Sequence, residues 1–155
     1  MRDPVFRYLR TLGCPHPLAE EIAQEAFLRL HSGFQDGLKI EDVRAWLFRV
    51  ARNLWIDHER EHRRHRAASQ DYVSRSIPAS ADSRLNPEQQ AMQRERLRLV
   101  EQDVSRLPKL QRECFRLKAQ GLRYQEIALA LDISMTTAVD SVRQAVKRIG
   151  RRFSD

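Results

Sequence analysis

His58-Glu59-Arg60-Glu61-His62 sets two imidazoles one helical turn apart with a carboxylate between them. In zinc hydrolases that spacing lets the histidines hold the metal while the glutamate works as general base. The surroundings argue against such chemistry. Where the extended pattern needs a glycine and a third histidine, the chain has His65 and Ala68, and Arg60, Arg63, Arg64 and Arg66 would surround a dication with guanidinium groups. No metal, no cofactor and no catalytic residue is therefore expected. His58, His62 and His65 read as solvated members of a basic helix end that can touch DNA phosphate, more strongly once protonated. The only two cysteines, Cys14 and Cys114, lie a hundred positions apart and form no C-x-x-C pair, so they read as small, reduced apolar fillers.

Two other constellations carry binding chemistry. Along residues 43–57, Arg49, Arg52 and Asn53 share a helical pattern with Trp46, Phe48 and Trp55. Arginine beside aromatic rings suits unstacked single-stranded bases, where stacking contributes ~1–3 kcal/mol per base. The plainer alternative is that both tryptophans are core. Near the C-terminus, residues 124–131 and 135–149 read as two helices joined by Asp132-Ile133-Ser134, with Ser134 as the second helix's cap. A helix, a three-residue turn and a capped helix form a helix-turn-helix. If Ile127, Leu131, Ile133, Ala138 and Val142 fill the space between them, the second helix turns Thr136, Thr137, Asp140, Ser141, Arg143, Gln144 and Lys147 outward. Such a face can lie in a major groove, polar groups on base edges and basic ones on phosphates. An ordinary hairpin with a solvated basic face is the alternative.

These residues need a scaffold of modest size. The chain has 155 residues and a net charge of +7, which makes an acidic polymer the first partner to consider. No run approaches the ~18 apolar residues of a membrane span, and the N-terminus lacks a signal-peptide core, so a cytoplasmic protein without membrane insertion is expected. Five glycines, six prolines and apolar residues at three- and four-residue steps predict an all-α protein. A short helix capped by Asp3 runs to about Leu12, a second spans about 18–31, a loop covers 32–40, and a long helix starts near Glu41. From Ala67 to Asn86 the periodicity stops. That polar stretch reads as a flexible linker with a span of roughly 25 Å, enough to let two small helical domains sit apart. Helical order resumes at Asn86-Pro87-Glu88-Gln89, a capping-box start. A further helix covers about 109–120 before the helix-turn-helix. The expected organisation is residues 1–66, a linker over 67–86, and residues 87–155. Charge divides unevenly across it: 12 basic against 10 acidic residues, then 2 against 2, then 14 against 9, or +2, 0 and +5.

Three blocks together resemble a known family. Ala19-Glu20-Glu21-Ile22-Ala23-Gln24-Glu25-Ala26-Phe27-Leu28-Arg29-Leu30, then Trp46-Leu47-Phe48-Arg49-Val50-Ala51-Arg52-Asn53-Leu54 with Asp57, then Leu107-Pro108 through Ala145, resemble the extracytoplasmic-function group of bacterial RNA polymerase sigma factors. The likeness covers nearly the whole chain in the family's order. It implies a region 2 bundle over 1–66 and a region 4 helix-turn-helix over 87–155. It further implies a protein that binds core RNA polymerase through the β′ clamp helices and the β subunit, recognises −10 and −35 promoter elements, and helps melt the duplex. On that likeness Glu20, Glu21, Gln24 and Glu25 are the polymerase contacts. Arg49, Arg52, Asn53 and Asp57 are the −10 contacts. The loop at 35–40 captures a flipped base, and Thr136, Thr137, Asp140, Ser141, Arg143, Gln144 and Lys147 belong to the −35 helix. An anti-sigma partner is common in the resembling family.

The chain also departs from that family's pattern. It starts late in the first helix, and Arg123 stands where a capping Ser or Thr is common. After Ser134 the usual Gly-Thr-Val-Lys-Ser-Arg is Thr136-Thr137-Ala138-Val139-Asp140-Ser141. Two basic DNA contacts are thereby replaced, which lowers affinity and its salt dependence; Arg143 and Lys147 are placed to compensate. The rival expectation is a stand-alone helix-turn-helix transcriptional regulator, which would bind a symmetric duplex site without polymerase.

Overall fold

The computed structural model of the protein describes residues 2–66 and 85–151. The expected linker falls almost entirely outside them, as does Arg152. Seven α-helices and no strand occur among the described residues: α1 (Arg2–Thr11), α2 (His16–Gln35), α3 (Val43–Arg66), α4 (Pro87–Ser105), α5 (Lys109–Ala119), α6 (Tyr124–Leu131) and α7 (Met135–Gly150). The all-α expectation holds, with helix order as read from the periodicity.

Local chemistry accounts for the helix ends. Asn86 caps α4 by accepting from the Gln89 N–H at 2.7 Å, while the Gln89 side chain accepts from the Asn86 N–H at 3.2 Å. This reciprocal box is the one expected from the sequence. Ser134 accepts from the Thr137 N–H at 3.1 Å at the start of α7. Asp42, which the sequence reading did not single out, caps α3 by accepting from the Ala45 N–H at 3.0 Å. Arg123 offers no acceptor at the start of α6. The carboxylate of Glu126 supplies half a capping box instead, accepting from the Arg123 N–H at 2.9 Å.

Helix α2 runs one turn beyond its expected end near residue 31. It stops where Gly37 takes φ +81° and the Leu38 N–H closes onto the Gly33 carbonyl at 2.8 Å. A left-handed residue there satisfies the last carbonyls, and glycine adopts it without a Cβ penalty. Gln35 is consequently the last residue of α2, and the connecting loop to α3 is residues 36–42.

The first three helices pack on one another, α7 packs across α5 and α6, and α4 lies against α7. The halves on either side of residues 67–84 also touch: α6 lies along α3, and α5 meets α1. One core runs through both halves, joining Val5, Tyr8, Leu47 and Phe48 to Cys114, Leu117, Leu122 and Ile127. Most of these are fully buried, and each large apolar side chain so buried contributes about 1.5–3 kcal/mol relative to exposure. A smaller cluster of Val104, Leu107, Ala145 and Ile149 fastens α4 to α7. Both cysteines are buried and free.

Candidate nucleic-acid and partner interfaces

Helix α2 buries Ala19, Ile22, Ala23 and Ala26. That stripe forces Glu20, Glu21, Gln24 and Glu25 onto the opposite, exposed face. Leu28 extends the same face and is 54% exposed, an apolar side chain among acidic ones. Glu25 pairs with Arg29 at 3.1 Å, one turn on.

Helix α3 has three faces. Ala45, Leu47, Phe48, Ala51 and Trp55 are buried, so Trp55 is core, as the plainer sequence reading had it. Arg49, Asn53 and Asp57 are exposed and follow one another at four-residue steps. Trp46 and Arg49 line a shallow groove of about 320 Å³ together with Leu38, Lys39, Ile40, Glu41 and Asp42 of the preceding loop. Arg52 differs from its exposed neighbours. It faces the second half of the molecule and pairs with Glu113 of α5 at 2.5 Å, both side chains being only 17% exposed. Further along, the His58 ring stacks on Trp55 with centroids 5.8 Å apart, and His62 stacks on His58 at 5.9 Å. Two exposed imidazoles thus extend an aromatic column from the core to the solvent, and among the described residues no third acidic, cysteine or histidine side chain joins them in a cluster.

In the helix-turn-helix, Asp132 takes the left-handed conformation at φ 56° and lets α7 cross α6. Ile127 and Ala138 are fully buried between the helices. Thr136, Asp140, Arg143, Gln144 and Lys147 are exposed along one side of α7, and Thr137 is half-buried beside the Ser134 cap. Ser141 departs from the expected outward orientation. It is only 7% exposed, and its hydroxyl bonds to the Cys114 sulfur. It lies one turn from Ala138 on the stripe that packs on α5, so it belongs to the packing face rather than to the exposed side. Burial pushes the Cys114 thiol upward, with the Ser141 bond opposing the shift. Gln144, although exposed, is engaged by Gln111 of α5 at 2.7 Å.

The sequence reading missed the residues that join the halves. Arg44 donates to the Gln120 carbonyl at 3.0 Å and reaches Glu126 at 3.9 Å, while Arg123 reaches Asp42 at 3.8 Å. Their partners stand 76 to 82 positions away, beyond the reach of helical periodicity. Gly121 is part of this seam: it takes φ +88°, and a Cβ there would sit 3.3 Å from the Arg44 guanidinium.

An acidic helix face, an arginine-bearing helix beside a grooved loop, and a helix-turn-helix with a polar outer side define a two-part, all-helical DNA-binding protein. Comparison with known proteins makes the class specific. Residues 1–65 match the Sigma-70 region 2 family and residues 97–149 match Sigma-70 region 4. The chain is 30% identical to the ECF RNA polymerase sigma factor SigM of Bacillus subtilis over 97% of its own length and 90% of SigM. It is 36% identical over 117 residues to the probable RNA polymerase sigma factor RfaY of Xanthomonas campestris, spanning 75% of this chain and 29% of RfaY. Among solved structures, the sigma factor RpoE of Bartonella quintana, crystallised in complex with the anti-sigma factor NepR, shares the fold. Its TM-score is 0.71 at 22% identity, covering 97% of this chain and 90% of that one. The chain belongs to the extracytoplasmic-function group of the sigma-70 family and is an RNA polymerase sigma factor, a DNA-binding factor of transcription initiation. No described helix is long and apolar enough to cross a membrane.

Proposed function

We propose that this sigma factor works in the cytoplasm without catalytic residues of its own, positioning core polymerase on promoters while the polymerase performs the chemistry. The outer face of α2, with Glu20, Glu21, Gln24 and Glu25, meets the β′ clamp helices, and the second half meets the β subunit. Arg49, Arg52, Asn53 and Asp57 of α3 meet the −10 element. Cationic groups hold the strand's phosphates as it separates, and the groove beside Trp46 and Arg49 takes an unstacked base. On α7, Thr136, Thr137, Asp140, Arg143, Gln144 and Lys147 face the −35 major groove, the last of these near the phosphates. Ser141 supports that helix from behind. The observation that carries this reading is the division of exposed chemistry: acidic on α2, cationic and polar on α3 and α7.

Runoff transcription with purified core polymerase over a promoter library tests the proposal. A promoter-dependent transcript only when this protein is added is expected. No such transcript, together with tight binding of the free protein to a symmetric duplex site, would establish the stand-alone regulator instead. The structural neighbour RpoE is recorded with an anti-sigma factor. An anti-sigma protein is accordingly a proposed partner here, tested by co-purification with this chain.

A further inference from the structure

Two side-chain rungs join α5 to α7. Cys114 and Ser141 form one, their sulfur and hydroxyl hydrogen-bonded. One turn away along both helices, Gln111 and Gln144 form the other: the Gln111 Nε2 donates to the Gln144 Oε1 at 2.7 Å. The two glutamines differ in burial. Gln111 is 9% exposed and sits on the α5 stripe with Cys114 and Leu117. Gln144 lies on the exposed side of α7, with Asp140 and Lys147 one turn to either side of it.

The Gln111 Oε1 is buried and has no hydrogen-bond partner. Leaving an acceptor in that state is costly, and an apolar side chain of the same shape would fill the space without the cost. What the glutamine supplies and an apolar side chain would not is an N–H aimed at the surface. With its oxygen turned inward, Gln111 reaches Gln144 only through nitrogen, so the amide it holds must answer with oxygen. A primary amide has one acceptor end and one donor end. Once the Gln144 Oε1 is drawn toward α5, its Nε2 and both N–H groups point away from α5.

We propose that Gln111 is a positioning residue for −35 specificity: it locks the Gln144 amide so that only donors face the major groove. A free glutamine reads adenine bidentately, accepting from N6 and donating to N7. That pairing needs both ends of the amide and is lost here. The locked amide offers N–H groups alone. These match the oxygen of a keto base, O6 of guanine or O4 of thymine, and meet the amino groups of adenine and cytosine donor to donor. Gln144 therefore selects guanine or thymine over adenine or cytosine at one position of the element. The inference rests on the reading of α7 as the −35 helix, and adds to it the class of base one side chain takes and the buried residue that sets it.

The test uses the full chain assembled with core polymerase, a promoter library randomised over the −35 element, sequencing of the bound fraction, and a melting temperature for each variant. The unaltered protein is expected to prefer guanine or thymine at least about fivefold at one position, the lower end of what a good side-chain contact discriminates. Gln144→Ala removes that preference and leaves the other positions as they were. Gln111→Glu replaces the donor by a carboxylate that only accepts. The Gln144 amide then turns over, its oxygen faces the groove, and the preference at that position moves to adenine or cytosine. Gln111→Met keeps the volume, releases the amide and lowers the preference below about twofold; it decides alone if Gln111→Glu does not assemble. A merely structural role would lower the melting temperature and weaken all promoters equally, without altering the base chosen. That result overturns the proposal, as does a preference that survives both Gln111 variants. So does an untouched profile in Gln144→Ala beside a changed one in Arg143→Ala, which would leave α7 as the −35 helix but remove Gln144 from its reading face. If Thr136→Ala, Arg143→Ala and Gln144→Ala combined change neither binding nor profile, the −35 assignment of α7 itself falls, and the inference with it.

Discussion

Removing Arg143 and Lys147 together isolates what α7 does on DNA from what it does for the fold. Both side chains are exposed, and neither has an ion-pair or hydrogen-bond partner among the described residues. Their replacement by alanine is therefore expected to change stability by no more than about 0.5 kcal/mol. If each meets one phosphate, the slope of log affinity against log salt becomes shallower by about 1.8 in the double variant, at about 0.9 per phosphate. Over a fourfold rise in salt, that difference shrinks the advantage of the unaltered protein by about twelvefold. The assay is binding of the assembled polymerase complex to a labelled promoter across a salt series, with melting temperatures measured alongside. Ser141→Ala is the internal control. Its side chain is buried against Cys114, so the loss should appear in stability, at about 0.5–1.5 kcal/mol for one buried hydrogen bond, with the salt slope unchanged. An unchanged slope in the double variant would refute the assignment of Arg143 and Lys147 to phosphates.

Other expectations follow from the same contacts. Ile127→Ala, at a fully buried position between α6, α7 and α3, should destabilise by about 2–5 kcal/mol in chemical denaturation. Ser134→Ala removes the α7 cap and should cost about 1 kcal/mol, read as a lower denaturation midpoint. Burial raises the Tyr8 hydroxyl and the Cys114 thiol above their ordinary values of 10.0 and 9.0. The folded chain thus keeps protons that the unfolded chain releases, and stability should fall as pH rises from about 8 to 10. Melting temperatures across that range check this, and Cys114→Ala should make the decline shallower. Glu21→Lys, on the exposed face of α2, should weaken capture by core polymerase while leaving the helical circular dichroism unchanged.

Much of the fold is legible in the order of residues because a helix is local. The 3.6-residue repeat of Ile22, Ala23 and Ala26, the Asn86–Gln89 capping box and the Ser134 cap each act within one or two turns, and each occurs as the sequence predicts. The outward faces of α2 and α7 follow from the same repeat. Ser141 shows where it stops being sufficient. It lies seven positions beyond Ser134, and only the arrival of α5 with Cys114 decides that this serine points inward. The end of α2 likewise depends on Gly37 adopting a positive φ and on Leu38 folding back over Gly33.

The chain's own order of residues thus determined seven helices, their faces and the family to which they belong, because periodicity, caps and motifs act over a few positions. The tertiary structure alone decided which arginine of α3 is free and which is held. Arg49 and Arg52 are three residues apart and chemically identical, yet one is exposed and the other pairs with Glu113 from the opposite half. Coulombic and apolar contacts between distant segments depend on distance in space, and only packing α5 and α6 against α3 brings those groups together.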